Sequence, residues 1–165
     1  MDWLQFGAQW LHVLLGILWF GNALVLAVIT IPALNRLPIT TQREFSQSVG
    51  HIASRLFTIV APAVIVLGII RGTFLGPIKD LDDLFGTAYG ITWLVALVAA
   101  TATFLWGKLM IEGALLAVNT APLSADGGPT PELTRAVERV KLMTILELVG
   151  FFVVFTCMIL MRFGA

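Results

Sequence analysis

WLQFGAQWLHVLLGILWFGNALVLAVITIPAL, Trp3–Leu34, holds a single ionisable side chain, His12, over its whole length. About 20 apolar residues are enough for a helix to cross the hydrocarbon layer of a bilayer, so this stretch reads as a membrane span. Three more of the same kind follow, at about Thr41–Arg71, Thr87–Val118 and Glu132–Arg162. The first does not read as a cleaved leader. The residues before it, MDWLQ, carry only Asp2 and no basic charge, and its apolar run far exceeds the roughly 7–15 residues of a signal-peptide core. The expected fold is all-α: an integral membrane four-helix antiparallel bundle, forming one domain over residues 1–165 with no appended soluble domain.

Composition agrees. The chain has 165 residues, of which 58% are hydrophobic and 12% charged, with a mean hydropathy of +0.94. Soluble domains carry about 25% charged residues. Net charge is zero, which gives no reason to expect a nucleic-acid partner. The lone Cys157 excludes an internal disulfide and a cysteine-cluster metal site; within the apolar run Val153–Met161 it reads as packing.

The connections are short. Pro38 blocks continuation of the first helix. Thr41-Gln42-Arg43-Glu44 fits a capping box that opens the second, with Thr41 as the N-cap. Pro62 predicts a kink in that helix. The second connection contains GPIKDLDD, which lacks the glycine and distal glutamate of a calcium loop and reads as a solvated acidic turn. In the third, Thr130-Pro131 supplies an N-cap followed by proline at the first helical position. Lys and Arg cluster around the first and third connections (Arg36, Arg43, Arg55, Lys108, Arg135, Arg139, Lys141), against Arg71, Lys79 and Arg162 on the other side. By the positive-inside rule, connections one and three face the cytoplasm and both termini lie outside. The expected setting is a bacterial-type inner membrane, with Trp3, Trp10, Tyr89 and Trp93 in an outer aromatic belt. Gly68-xxx-Gly72 and Gly86-xxx-Gly90 mark close packing of helices two and three or a homo-oligomer contact.

The polar residues that persist inside the spans are the functional candidates: His12, Asn22, Arg55, Lys108, Glu112 and Glu147. An ionisable group at a helix centre costs about 2.5–3.5 kcal/mol on the insertion scale. His12, Gly16 and Trp19 fall at i, i+4 and i+7 on one helix face. An imidazole beside a glycine notch suits a flat macrocycle, and neutral imidazole ligates haem iron, copper and zinc alike. His51, with Arg55 one turn later, is a second ligand candidate. At 1.5 Å rise per residue the two histidines lie about 25 Å apart in depth, so they serve different centres within one chain. Lys108 and Glu112, spaced i,i+4, suit an ion pair. Glu147, the deepest carboxylate, needs a proton or a partner, and Arg55 and Lys108 are the nearest cations by depth. No phosphate loop, catalytic triad or zinc-protease motif is present.

The segments LHVLLGILWFGNALVLAVITIPAL, FSQSVGHIASRLFTIVAPAVIVLGIIRG, TAYG and RAVERVKLMTILELVGFFVV resemble, in order, the four helices of the CopD-like and HemJ-like group of membrane proteins. The resemblance covers nearly the whole chain through short hydrophobic motifs. It implies a four-helix bundle, and it implies that His12 matches the group's first-helix histidine, linked to b-type haem in HemJ-like members and to copper in CopD-like ones. The chain departs from the pattern after TAYG, where Ile91 and Ala96 stand in place of a frequent arginine and lysine. These readings lead to an expected b-haem protein of membrane redox chemistry. His12 is a ligand in a pocket with Gly16 and Trp19, His51 is a second ligand, and Arg55 and Lys108 neutralise haem propionates or a quinone headgroup. The alternatives are a copper or other cation transporter with Glu147, Glu112 and His12 along its path, or a structural subunit of a larger membrane complex.

Overall fold

The computed structural model describes residues 2–164; Met1 and Ala165 lie outside the described residues. Four helices, each long and apolar enough to span a membrane, make up the chain: α1 (Trp3–Leu34), α2 (Ile39–Gly72), α4 (Ala88–Thr120) and α5 (Pro131–Arg162), with a short α3 (Leu81–Gly86) between α2 and α4. Their outward faces carry Ile17, Ile59, Val98 and Ile145, each more than half exposed. Such faces need lipid as their solvent, since large contiguous apolar surface does not stay in water. The protein is a multi-pass membrane protein built as an all-α four-helix bundle.

Local chemistry sets the helix ends. The Asp2 carboxylate accepts from the amides of Leu4 and Gln5, Thr87 Oγ1 from Gly90 N–H at 2.9 Å, and Thr130 Oγ1 from Leu133 N–H at 3.3 Å. These hydroxyls and carboxylates satisfy first-turn amides that have no helical partner. The expected cap at Thr41 is not used. α2 begins two residues earlier at Ile39, with Pro38 as its N-cap (φ −54°, ψ 145°) and no side-chain cap. Proline's ring already holds the φ that leads into a helix, and Gln42 instead donates to the Leu37 carbonyl. DLDD is not a loose turn but the start of α3: Asp80 accepts from Asp83 N–H and the Asp83 carboxylate accepts from Lys79 N–H, both at 2.8 Å. The Lys79 ammonium caps the end of α2 by donating to the carbonyls of Thr73 and Phe74. In the third connection the Ser124 hydroxyl, 2.5 Å from Asp126, holds that exposed carboxyl below its ordinary pKa.

Two turns of π-helix interrupt the spans, Leu26–Thr30 in α1 and Gly107–Ile111 in α4. The first ends just before Pro32, which has no N–H and whose ring crowds the carbonyl four residues back; the wider turn opens the ladder there. α2, by contrast, runs continuously through Pro62.

α1 packs along α2, and α4 along α5. Small residues make the second pairing close: Ala96, Ala100, Thr103 and Ala114 are buried on α4, and a Cβ on Gly150 of α5 would run into Thr103. Backbones that approach this closely gain dispersion contact that the lipid cannot supply. Trp106 Nε1 donates across the same seam to the Met143 carbonyl at 3.0 Å. Two apolar clusters close the bundle. One, near its middle, joins Trp19 and Ala23 of α1, Val60, Ala61 and Val64 of α2, and Phe151 of α5, with Trp19 edge-on to Phe151 at 4.9 Å between centroids. The other lies beneath connections one and three: Val118, Ala121, Leu133 and Ala136.

Of the GxxxG glycines, Gly68, Gly72 and Gly90 make close contacts within the chain, whereas nothing stands near a Cβ at Gly86. Gly72 faces the indole of Trp93, and the Gly68 carbonyl accepts from Trp93 Nε1 at 3.2 Å. Trp93 therefore turns inward between α2 and α4 rather than joining an aromatic belt, whereas Trp3 and Trp10 are exposed. Gly72→Ala would drive a methyl into the Trp93 ring. We expect a loss of about 1–3 kcal/mol from this overpacking, measured as a lowered Tm in detergent, with Gly16→Ala as a comparison because nothing stands near a Cβ at that position.

Candidate functional site: a half-bundle cavity ending on Glu147

Between the two apolar clusters the four helices separate and enclose a cavity of about 260 Å³. It occupies the half of the bundle nearest connections one and three. Trp19, Phe57, Phe104 and Glu147 lie at its deep end near mid-span, while Leu34, Asn35 and Gln42 lie at its outer end. A second hollow, between connections one and three, shares Asn35, Gln42 and Val137 with it. The two hollows therefore adjoin beneath connections one and three, and the Trp19–Phe151 cluster lies on the side of the cavity toward the termini. Both π turns contribute to its wall, through Leu26 and Thr30 and through Gly107, Lys108 and Ile111. Single π turns inside α-helices occur often at functional sites, and here two on different helices converge on one cavity.

The wall is largely apolar but also carries the neutral polar side chains of Asn22, Thr30, Asn35, Gln42, Ser46 and Thr144 and the ammonium of Lys141; two polar features bear on its chemistry. The first is a network. Lys108 Nζ lies 2.7 Å from Glu112 Oε1, so the expected i,i+4 pair forms. Nζ also donates to Thr58 Oγ1 at 3.0 Å and Ser54 Oγ at 3.3 Å, and Ser54 Oγ donates to Glu112 Oε1 at 2.6 Å. An ammonium has three donors, and all three of Lys108 are taken. The network is neutral and satisfied from within.

The second feature is Glu147. Its Oε1 lies 2.8 Å from where a Cβ of Gly107 would stand, so the glycine at the head of the α4 π turn makes the room this carboxylate occupies. Glu147 has no hydrogen bond or ion pair among the described residues; the ion pairs there are Lys108–Glu112 and Lys141–Glu138. Arg55, its expected partner by depth, is exposed and is not on the cavity wall. A charge held in a largely apolar site without a partner is costly, and because Glu147 is partly exposed to the cavity, a proton, water or a cation entering there can satisfy it.

The histidines are not brought together. His12 is buried against α2, where its Nδ1 is 3.0 Å from the Val64 carbonyl oxygen. Only a protonated Nδ1 can make that bond, which leaves Nε2 with its lone pair. The glycine at the imidazole is Gly68 of α2, whose Cβ position is 3.3 Å from His12 Cε1; Gly16 meets nothing. Trp19 is committed to the mid-span cluster. His12 lies seven residues from Trp19, about 10 Å toward the termini, and does not line the cavity. His51 and Arg55 are exposed on α2, and Val64 stands thirteen residues beyond His51, about 20 Å away along the helix. No group of three or more His, Cys, Asp or Glu side chains converges among the described residues. Sequence reasoning missed Ser54, Thr58 and Gly107. The first two follow from the i,i+4 repeat facing Lys108 across a helix interface; Gly107 carries no such signal.

Compared with known proteins, the chain matches no family model, no curated protein and no solved structure.

Removing one member of the network tests how it is held. Lys108→Met leaves Glu112 with only Ser54 as a donor. We expect about 1–3 kcal/mol of destabilisation, less than for a fully buried pair because roughly a third of each side chain is exposed. The double variant Lys108→Met/Glu112→Met should recover most of this in thermal unfolding.

Proposed function

We propose that the protein is a cation transport protein in which Glu147 exchanges a proton for a cation at the end of the half-bundle cavity. The observation that carries the reading is the Glu147 carboxylate, without a hydrogen-bond or ion-pair partner among the described residues, on a largely apolar wall. In the membrane interior such groups mark ion and proton pathways more often than structural sites. The cavity adjoins a second hollow on the side of connections one and three and ends at the Trp19–Phe151 cluster on the other, which suits one state of an exchanger. The Lys and Arg bias of connections one and three supports a cytoplasmic mouth, with both termini outside. His12 lies on the terminal side of the Trp19–Phe151 cluster, and Gln9 Oε1 and Arg71 Nε, toward the same ends of α1 and α2, are buried without hydrogen-bond partners among the described residues; these groups would line the other half of the path.

The wall chemistry supports this reading over its rivals. It contains no His, Cys or Met, the donors copper(I) prefers. Lys108 is engaged with Glu112 and Lys141 with Glu138, so among the described residues neither ammonium on the wall is left for a quinone oxygen or a propionate.

A b-haem at His12 is the second reading, favoured by the Nδ1 bond to Val64, since a ligating imidazole typically donates its other N–H to a carbonyl or carboxylate. The fit within one chain is poor. The imidazole lies wedged against Gly68, the enclosed cavity does not reach it, and His51 is too distant to be the second ligand. A porphyrin would have to sit on the lipid-facing surface, and the exchange at Glu147 does not involve it.

Two experiments separate these readings. In liposomes holding a pH-sensitive dye and an imposed pH gradient, addition of a transported cation should dissipate the gradient, and Glu147→Gln should slow this by roughly tenfold or more; equal rates would remove Glu147 from the path. An oxidised-minus-reduced visible spectrum of protein expressed with added haem should be featureless. A Soret band lost in His12→Ala would establish the haem reading instead.

A further inference from the structure

The cavity also indicates what kind of cation it takes. Resting on the exchange reading above, we propose that the cargo is a hydrophobic organic monocation of the quaternary ammonium class rather than an inorganic ion.

The groups facing Glu147 around the wall are Lys108 and Glu112 on α4 and Lys141 on α5, and α1 and α2 supply only the uncharged Asn22 and Ser54 at this depth. Lys108 is paired with Glu112 and Lys141 with Glu138. One negative charge is left over, on Glu147, which a single positive charge balances. Next comes coordination. Hard cations such as Ca²⁺ take six to eight oxygens, and the wall there offers the Glu147 carboxylate and the neutral oxygens of Asn22, Ser54 and Thr144, fewer than such a shell needs. Those polar side chains can hold some water around a bare or hydrated ion, but the aromatic and aliphatic side chains that make up the rest of the wall are better covered by apolar surface. An ion that carries its own apolar shell removes both difficulties.

The aromatic lining supplies the third part. Trp19, Phe45, Phe57 and Phe104 all line the cavity. Aromatic faces attract cations that cannot hydrogen-bond, and aromatic cages are a common means of binding quaternary ammonium. The exchange balances without a co-reactant: the protonated Glu147 carboxyl loses its proton to water, the carboxylate pairs with the incoming monocation, and no covalent bond to carbon changes.

The test is titration calorimetry of purified protein with benzyltrimethylammonium, run in two buffers of different ionisation enthalpy, beside its uncharged carbon isostere neopentylbenzene. We expect binding of the ammonium with release of about one proton per ion and affinity falling by up to about tenfold per pH unit on acidification. The neutral isostere should bind at least about tenfold more weakly, Glu147→Gln should lose the binding, and Glu147→Asp should retain it in weakened form, which guards against a folding defect. Equal binding of the isostere, or binding that survives in Glu147→Gln, would overturn the proposal by showing a merely apolar site. Absence of ammonium binding, with an inorganic cation still dissipating the liposome gradient through Glu147, would overturn the cargo assignment and leave the exchange reading standing. Absence of both would overturn both.

Discussion

Helices that must satisfy their own backbone in lipid can still hold an internal cavity, but only if something outside the cavity holds them together. Here two apolar clusters do so. The Trp19–Phe151 cluster ties α1, α2 and α5 at mid-span, and the Leu133 cluster ties the ends of α4 and α5 beneath the connections. Between them the wall relaxes into π turns on α1 and α4. The same mid-span cluster that holds the bundle together lies between the cavity and the termini. In the proposed exchange, stability and gating would fall on the same side chains, because passage through the bundle would require that cluster to rearrange.

The electrostatics follow a division of labour. Lys108 and Glu112 are expensive in a membrane taken singly, yet together with Ser54 and Thr58 they form a closed neutral set. Glu147 differs in having room rather than partners. Gly107 leaves space for its carboxylate and offers nothing to bond it. A residue satisfied from within belongs to the architecture, whereas one left open to a proton or a ligand belongs to the chemistry.

Much of the fold was legible in the chain. Apolar length gave the four spans, and the hydroxyl N-cap at Thr130 gave the start of one of them. The Thr41 cap misled because Pro38, three residues earlier, already had the backbone angle a helix start needs. The Lys108–Glu112 pair was legible because i,i+4 spacing is local. What lies across a helix interface was not. His12, Gly16 and Trp19 do share a face of α1, but the periodicity of one helix does not reveal which neighbour covers that face. It was Gly68 and Val64 of α2 that met the imidazole, and Phe151 of α5 that met the indole. Depth alone offered Arg55 to Glu147, and the rotation of α2 turned it outward. The π turns were hidden because a reading at 3.6 residues per turn assumes they are absent.

The most direct measurement of the central claim is the infrared difference spectrum of the membrane-reconstituted protein on addition of a cation. The account predicts loss of a protonated-carboxyl stretching band when the cation binds, and no such change in Glu147→Gln. A band unaffected by any cation, or one lost equally in the variant, would contradict it and return Glu147 to a purely structural role.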